Sequence, residues 1–402
     1  MSKISVWEQN EEINYFREYL RIPSVHPNIN YAPCIEFLKR QAADLNLPLK
    51  IYYPVNPENP VVAITWTGTQ PDLPAVVLNS HMDVVPVFEE NWTHPPFGAE
   101  MDEEGRIFAR GTQDMKCVGM QYLSAIRALK KEGKSFKRTI HLTFVADEEL
   151  GGGRGMKPFV LTDDFKNLNV GFSLDEGIAA PGEVYPVFYA ERAIWRIFFK
   201  ISGTTGHGSL LHKYTAGEKL QYLVNKMMGL RAQEVLRLEK NPNLKVGDVT
   251  TVNLTRISGG VQTNVVPALL TIGFDVRLAI NVDHVVFENQ LLQWCEEAGG
   301  GITIEYETKR PFVEPTKTDD SNPYWKAFKS AIDELDLKIE LEVFPGGTDS
   351  RYIRQVGIPA LGFSPMNHTP VLLHDNDEFL KADTYLRGVE IYKTIIPKLA
   401  NV

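Results

Sequence analysis

The segment His-Leu-Thr-Phe-Val-Ala-Asp-Glu-Glu-Leu-Gly-Gly-Gly, residues 141–153, runs from β-branched and aromatic residues into three acids and then three glycines. Such a run is typical of a strand that ends at a loop. Ligands usually bind at the carboxyl ends of strands in an α/β sheet. Neighbouring carboxylates at such an edge repel each other unless a cation neutralises them or one of them holds a proton. Glu148 and Glu149 are therefore the first candidate functional residues of the chain.

Outward from this segment, predicted strands alternate with predicted helices. Residues 75–79 are almost entirely apolar, as expected for a strand that is covered on both faces. Residues 118–132 carry apolar side chains near helical spacing. Further strands are predicted at 61–66, 140–146 and 170–174, and further helices at 9–20 and 34–45. The alternation predicts an α/β sheet with helices on both faces.

The middle of the chain has a different pattern. Its predicted elements are a strand at 193–201, a helix at 215–238, strands at 249–257 and 268–278, a helix at 283–298 and a strand at 302–308. This β-α-β-β-α-β order is typical of a ferredoxin-like unit. The helix-strand alternation then resumes, with helices near 324–335 and 383–399 and strands near 339–344 and 358–363. We therefore expect a discontinuous α/β domain, 1–186 plus 312–402, and an inserted domain at 187–311.

Composition excludes several classes of protein. The 51 acids and 42 bases give a formal charge of -9, whereas proteins that bind nucleic-acid backbones are usually basic. No apolar run approaches the roughly 18 residues of a membrane span, and the first residues lack the apolar core of a signal peptide. Three widely spaced cysteines suggest reduced thiols rather than a disulfide framework. We expect a cytoplasmic protein that binds neither nucleic acid nor membranes.

Five short segments carry side chains of the kind that bind metal ions, each after a strand or in a loop. They contain His81 with Asp83, Asp114, Glu148 with Glu149, Asp175 with Glu176, and His374. Two histidines and several carboxylates suit zinc, with manganese or cobalt as weaker alternatives. Two ions about 3.5–4 Å apart need a bridging carboxylate and can clamp both partners of a hydrolytic displacement. A carboxylate left free can then take a proton from the acidified water.

Each segment alone also has an ordinary structural interpretation. Asp114 suits the N-cap of the helix that follows it. Asp175, Glu176 and Gly177 suit a turn. The Glu148-Glu149 pair suits a solvated strand end. The joint occurrence of the segments at several strand ends favours a metal site.

Three motifs, in this order, resemble those of the co-catalytic zinc aminoacylase/carboxypeptidase family, peptidase family M20. They are Ser-His-Met-Asp-Val-Val-Pro at 80–86, Gly-Thr-Gln-Asp-Met-Lys at 111–116 and Asp-Glu-Glu-Leu-Gly-Gly at 147–152. The resemblance covers nearly the whole chain. It implies hydrolysis of N-acyl-L-amino acids to a carboxylate and a free L-amino acid. The alternatives are a dipeptidase or carboxypeptidase of the same family and a catalytically silent zinc-binding scaffold.

The resemblance also implies the ligands of two Zn²⁺ ions per subunit. His81 and Glu176 would hold one ion, Glu149 and His374 would hold the other, and Asp114 would bridge both. Asp175 is the alternative to Glu176, because the family uses either acid at this position. Glu148 would be the general base. Asp83 would hydrogen-bond His81 and fix its ring.

Further roles follow from the same resemblance. The inserted domain would form a homodimer and act as a lid, and its His207 would reach a neighbouring subunit's site and polarise the scissile carbonyl. Asn264 would contact the substrate, and Arg277 would clamp the substrate carboxylate bidentately. Without the resemblance, these three residues suit turns and a solvated strand. Thr348, on the glycine-rich loop 345–351, would also approach the substrate.

Overall fold

The computed structural model describes residues 3–402, and the chain divides into two compact units. The first unit comprises the chain up to Tyr189 together with Glu314–Leu341 and Gly347–Val402. The second comprises Ala190–Val313 and Glu342–Gly346.

The α-helices and β-strands are numbered in chain order. The helices are α1 (Lys3–Glu8), α2 (Glu11–Leu20), α3 (Ala32–Asp44), α4 (Lys116–Lys131), α5 (Met156–Phe159), α6 (Asp163–Asn167), α7 (Ala216–Lys240), α8 (His284–Glu297), α9 (Pro323–Glu334), α10 (Ser350–Gln355) and α11 (Ala382–Ala400). The strands are β1 (Leu49–Tyr52), β2 (Val61–Trp66), β3 (Ala75–His81), β4 (Glu100–Met101), β5 (Arg106–Phe108), β6 (Ile140–Val145), β7 (Val170–Asp175), β8 (Tyr185–Glu191), β9 (Ala193–Ser202), β10 (Gly206–His207), β11 (Thr251–Gly259), β12 (Val265–Val266), β13 (Leu269–Leu278), β14 (Ile302–Lys309), β15 (Ile339–Phe344), β16 (Ala360–Gly362) and β17 (Phe379–Lys381).

The large sheet has the strand order β1-β2-β6-β3-β7-β16-β8-β15. Its centre is parallel, because β3 pairs in parallel with both β6 and β7, and β16 pairs in parallel with β7. Every residue of β3 and β6 is buried, as expected when helices cover both faces of a sheet. The carboxyl ends of these parallel strands meet at one edge of the sheet.

Alternate residues of β2 enter two different hydrophobic clusters, which shows that both faces are covered. Val62 and Ile64 pack in the larger cluster, which includes residues of α2, α3, α4, α9 and α11. Val61 and Ala63 pack in a smaller cluster with residues of α5, α6 and α10. The predicted fold class, an α/β sheet with helices on both faces, is confirmed.

The second unit contains an antiparallel sheet of order β11-β13-β9-β14. Its buried residues form a core with those of α7 and α8. Each helix begins at a polar cap: the Thr215 side chain accepts the Glu218 amide, and Asp283 accepts the first amides of α8. The elements β9, α7, β11, β13, α8 and β14 follow the predicted β-α-β-β-α-β order.

Two further observations bear on the expectations from composition. Among the described helices, none combines the length and the apolar character needed to cross a membrane. Cys34, Cys117 and Cys295 are free and buried.

Candidate metal centre

The carboxyl edge of the large sheet brings three of the predicted segments together. His81 is the last residue of β3 and is paired in register with Val145, the last residue of β6. Glu148 follows β6 after two residues, and Glu176 directly follows β7. Asp114 comes from the loop before α4, and His374 from the loop before β17. The sheet therefore fixes one side of the cluster, and two loops complete it.

Asp114 lies between the two histidines. Its Oδ1 is 3.0 Å from Nε2 of His81, and its Oδ2 is 3.2 Å from Nε2 of His374. Oε2 of Glu149 is 3.2 Å from the same nitrogen of His374, and Oε2 of Glu176 is 3.7 Å from Nε2 of His81. Asp114 does not cap α4, whose N-cap residue makes no side-chain hydrogen bond. All five predicted ligands thus lie in one cluster around Asp114.

A hydrogen bond at Nδ1 holds the ring of His81 on the side away from the cluster. Its Nδ1 lies 2.8 Å from the main-chain carbonyl of Asp83, so the Nδ1 proton is donated there and Nε2 is left to face the cluster. The Asp83 carboxylate is 3.7 Å from the ring and instead accepts the amide N–H groups of Glu148 and Glu149 at 3.2 and 3.0 Å. The predicted contact between Asp83 and His81 is therefore made by the main-chain carbonyl of Asp83. The Asp83 carboxylate is occupied by the amides of the Glu148-Glu149 turn.

The Glu148-Glu149 pair lies on a 3₁₀ turn, Glu148–Leu150, rather than on the strand end itself. Asp147 before it has a left-handed backbone, with φ of 67°. Successive residues of a 3₁₀ turn point about 120° apart, so the two carboxylates diverge. Glu149 faces His374, whereas Oε1 of Glu148 lies 3.8 Å from a guanidinium nitrogen of Arg351.

Asp175 and Glu176 also diverge, and only the second faces the cluster. The two carboxylate oxygens of Asp175 accept hydrogen bonds from Asn79 at 3.1 Å and from Ser350 at 2.8 Å. Its lone pairs are thereby directed away from His81. The geometry favours Glu176 over Asp175 as the metal ligand.

The charges of the cluster are unbalanced without a cation. Burial, reinforced by nearby carboxylates, raises the pKa of Glu148 and of Glu176 well above the usual range. Burial and Asp114 raise the pKa of Glu149 to about 7. Hydrogen bonds to Asp114 and Glu149 raise the pKa of His374 to about 10. A bound cation would relieve this excess of negative charge.

The donor atoms also fit a metal ion. Ligand atoms of His81, Asp114 and Glu149 lie within 4.8 Å of one another, and so do those of His81, Glu148 and Glu176. The buried Oε1 of Glu149 has no hydrogen-bond partner among the described residues, which leaves a lone pair available. Imidazole nitrogens and carboxylate oxygens are the ligands that zinc takes in catalytic sites. The residues present therefore fit metal ions.

The candidates His207 and Asn264 contact other residues of the second unit. Nδ1 of His207, on β10, accepts the Ser209 amide at 3.2 Å and lies 2.7 Å from the Ser209 hydroxyl. Asn264 is exposed, and its main-chain carbonyl accepts a hydrogen bond from the Gly208 amide at 2.8 Å. Asn264 and His207 therefore lie on neighbouring segments. Their functional roles stay predictions.

Arg277 and Thr348 likewise make contacts that the sequence did not indicate. The guanidinium of Arg277 holds both oxygens of Asp275, at 2.7 and 3.2 Å. Thr348, in the first unit, is buried and accepts the Ser350 amide at the start of α10. A role for either residue in substrate binding stays a prediction.

Sequence reasoning missed two side chains near the centre. His26 lies 2.8 Å from the Asp83 carboxylate, and Arg351 faces Glu148. Arg351 ends the glycine-rich loop 345–351, which was predicted to approach the substrate, so the sequence did indicate a positive charge near the acids. His26 carried no signal, because it is far from Asp83 in sequence and only the fold brings them together.

Known proteins are similar to this chain in sequence and in fold. The family model described as Peptidase family M20/M25/M40 matches residues 77–398. Human Aminoacylase-1 is 50% identical over 395 residues, which cover 98% of this chain and 97% of that protein. An M20 family metallo-carboxypeptidase from Sulfolobus solfataricus superimposes with a TM-score of 0.72 at 18% identity, covering 98% of this chain and 99% of that one. A dinuclear metal-binding M20 peptidase from Bacillus subtilis gives 0.70 at 16% identity, covering 98% and 99%.

The two solved structures are too distant in sequence to show more than the fold. The family model, however, spans most of this chain, and the human relative is half identical along nearly its full length. The chain therefore belongs to peptidase family M20/M25/M40.

Proposed function

We propose that this chain is a zinc-dependent amide hydrolase that cleaves N-acyl-L-amino acids to a carboxylate and a free L-amino acid. The observation that carries the proposal is the cluster of two histidines and four carboxylates around Asp114, in a chain half identical to Aminoacylase-1. Buried carboxylates in this number need cations, and hydrolysis of an amide needs an activated water.

The proposed centre holds two zinc ions per subunit. His81 and Glu176 would hold one ion, Glu149 and His374 would hold the other, and Asp114 would be shared by both. Each carboxylate oxygen of Asp114 faces a different histidine, and this supports the bridging role. Zinc at such a site acidifies water and polarises carbonyl groups.

Glu148 is the proposed general base. Burial and the charge of Glu176 raise its pKa, so its carboxylate takes a proton more readily than an exposed glutamate does. Glu148 accepts the proton of the attacking water and later delivers it to the nitrogen of the leaving amine. Its position on a turn held by the Asp83 carboxylate keeps this side chain beside the metal ligands.

We also propose a homodimer formed through the inserted domain, 187–311, with 1–186 and 312–402 as the catalytic domain. In the dimer, His207 donates a hydrogen bond to the carbonyl oxygen as negative charge develops there. The Ser209 amide supports this role: it donates to Nδ1, so the ring proton of neutral His207 is on Nε2. Because His207 is exposed, it is accessible to a second subunit.

Substrate recognition is proposed for three further residues. Arg277 binds the α-carboxylate of the substrate and exchanges its present partner Asp275 for it, since both are carboxylates. Asn264 and Thr348 contact the substrate amide. A cytoplasmic location is proposed as well, and it is supported by three free, buried cysteines.

A substrate panel tests the proposed function. The zinc-loaded protein is assayed with N-acetyl-L-methionine, its D-enantiomer and L-Ala-L-Met, and again after zinc removal by a chelator. We expect kcat/KM to be highest for N-acetyl-L-methionine and activity to disappear with the metal. Faster cleavage of the dipeptide would assign a dipeptidase instead. Zinc binding without hydrolysis of any substrate would assign a silent scaffold.

A further inference from the structure

A buried carboxylate outside the predicted ligand set, Glu378, holds the loop that carries Asp114. Its side chain is fully buried, and both of its oxygens accept hydrogen bonds from this loop. The donors are the Gln113 amide at 2.6 Å, the Gly111 amide at 3.2 Å, the Asp114 amide at 3.3 Å, the Thr112 hydroxyl at 3.3 Å and the Arg110 guanidinium at 2.8 Å. A single carboxylate therefore accepts hydrogen bonds from five successive residues, 110–114, that end at the central proposed metal ligand.

The same residue belongs to the segment that carries His374, four positions earlier in the chain. Arg110 donates to the carbonyl of Asp375 at 2.9 Å as well as to Glu378. The Gln113 side chain donates to the carbonyls of Pro370 and Phe379 and accepts the Leu372 amide. We refer to Arg110, Gln113 and Glu378 as the Glu378 network.

The network has no part in the reaction as proposed. Glu378 is absent from both groups of candidate ligand atoms, and its oxygens already receive five hydrogen bonds. An ionised carboxylate is costly to bury unless it is paired and hydrogen-bonded. Its contacts connect the segment that carries His374 to the loop that carries Asp114, and the sheet itself positions neither.

We propose that Glu378, paired with Arg110, is a positioning residue that fixes the separation of Asp114 and His374, and thereby sets the affinity of the centre for the ion that they share. The inference rests on the proposed metal centre. Outer partners of metal ligands typically change metal affinity about 10–100-fold when they are replaced. Chemistry at saturating metal would be little affected, because Glu148 is on a different segment.

The test is the substitution Glu378→Gln, which keeps the shape of the side chain but leaves one acceptor oxygen for five donors. Zinc affinity of the metal-free protein is measured by competition with a chromophoric chelator, and kcat is measured at saturating zinc. We expect the zinc dissociation constant to rise about 10–100-fold, with kcat at saturating zinc restored to within a few-fold of the wild type.

The matched control is Glu12→Gln, which breaks another largely buried ion pair, between Glu12 and Arg127 at 3.1 Å. This pair connects α2 to α4 and touches none of the ligands. The control is expected to lower the melting temperature and leave zinc affinity unchanged. If Glu378→Gln does not fold, Arg110→Lys takes its place, since it keeps a cation beside Glu378 and alters the side chain that contacts both Glu378 and the Asp375 carbonyl.

Wild-type zinc affinity in Glu378→Gln, or in Arg110→Lys if the first does not fold, would overturn the inference and leave the proposed function intact. Equal weakening in Glu12→Gln would also overturn it, because the loss would then reflect general destabilisation. A wild-type protein that binds no zinc would overturn both the inference and the proposed function.

Discussion

The metal centre in the first unit and the His207 region in the second differ in how their residues are held. Around Asp114, each proposed ligand lies close to another ligand from a distant part of the sequence. In the second unit, His207 contacts Ser209, and Arg277 contacts Asp275, each two residues away. The first region is fixed by contacts within the fold, whereas in the second, under the proposed function, a substrate or a second subunit replaces the present partners.

The difference has a physical cause. Charged groups removed from water must be paired, so the buried carboxylates at the sheet edge have fixed geometry. Exposed groups keep their hydration and bind a new partner at little cost. We therefore expect changes in the first region to affect metal binding and proton transfer, and changes in the second to affect substrate contacts and assembly.

The largest effect is expected from the two adjacent glutamates. Glu148→Gln should lower kcat by up to about 10⁴-fold with zinc content unchanged, because it removes the general base and no proposed ligand. The matched variant Glu149→Gln should lower zinc content, measured by metal analysis. Loss of zinc in Glu148→Gln, or full zinc content in an inactive Glu149→Gln, would show that Glu148 is the ligand and Glu149 the base.

A smaller effect is expected from His207, which tests whether the second region completes the site of another subunit. His207→Ala should lower kcat by about 10²–10³-fold and retain zinc, since one oxyanion donor is lost. Mixing His207→Ala with Glu148→Ala subunits should restore about a quarter of wild-type activity, because half of the dimers are mixed and each has one intact site. No recovery in subunits shown to exchange would contradict a shared site.

The third prediction concerns a buried histidine of the first unit, His141 on β6. Burial lowers its pKa to about 4, and its ring contacts Thr65 and the carbonyl of Leu168. The unfolded chain binds the proton near pH 6.5 and the folded chain only near pH 4, so stability falls as pH decreases through this window. The loss should reach about 3 kcal/mol at pH 4.

Denaturant unfolding of metal-free protein at several pH values measures this loss. His141→Gln should show a flatter pH dependence between 6.5 and 4 than the wild type. The exposed His368→Asn serves as the control and should follow the wild-type curve. An equally steep decline in His141→Gln would assign the acid sensitivity to other groups.

The smallest effect is expected from Arg277. Arg277→Lys keeps the charge but loses the planar fork that binds a carboxylate bidentately. KM for N-acetyl-L-methionine should rise roughly tenfold while kcat changes little, as expected for a contact made equally in the ground and transition states. An unchanged KM in steady-state assays would leave Arg277 as a partner of Asp275 alone.

Much of the fold was predictable, because its signals are local. The apolar run at 75–79 and the helical spacing at 118–132 correspond to β3 and α4 with shifts of a few residues at their ends. The Glu148-Glu149 segment was harder. The sequence predicted a strand over 140–146 with the two glutamates at its end, whereas the strand ends at Val145 and the left-handed Asp147 precedes a 3₁₀ turn that carries both glutamates.

In the candidate site, too, some features were predictable from the sequence and others were not. Residue types and motif spacing identified the histidines and carboxylates that meet around Asp114. Neither the choice of Glu176 over Asp175 nor the network of Glu378 followed from spacing. Both depend on where Ser350, Asn79 and Arg110 lie in space.

The sequence by itself determined the alternation of strands and helices, the set of acids and histidines, and the family resemblance. It did so because periodicity and motif order are properties of neighbouring residues. Only the tertiary structure decided that Glu176 rather than Asp175 faces the cluster, and which groups hold Asp114 and His374 in place. Those outcomes depend on contacts between segments that are distant in the sequence, such as Ser350 with Asp175 and Arg110 with Glu378, which form only when the chain is folded.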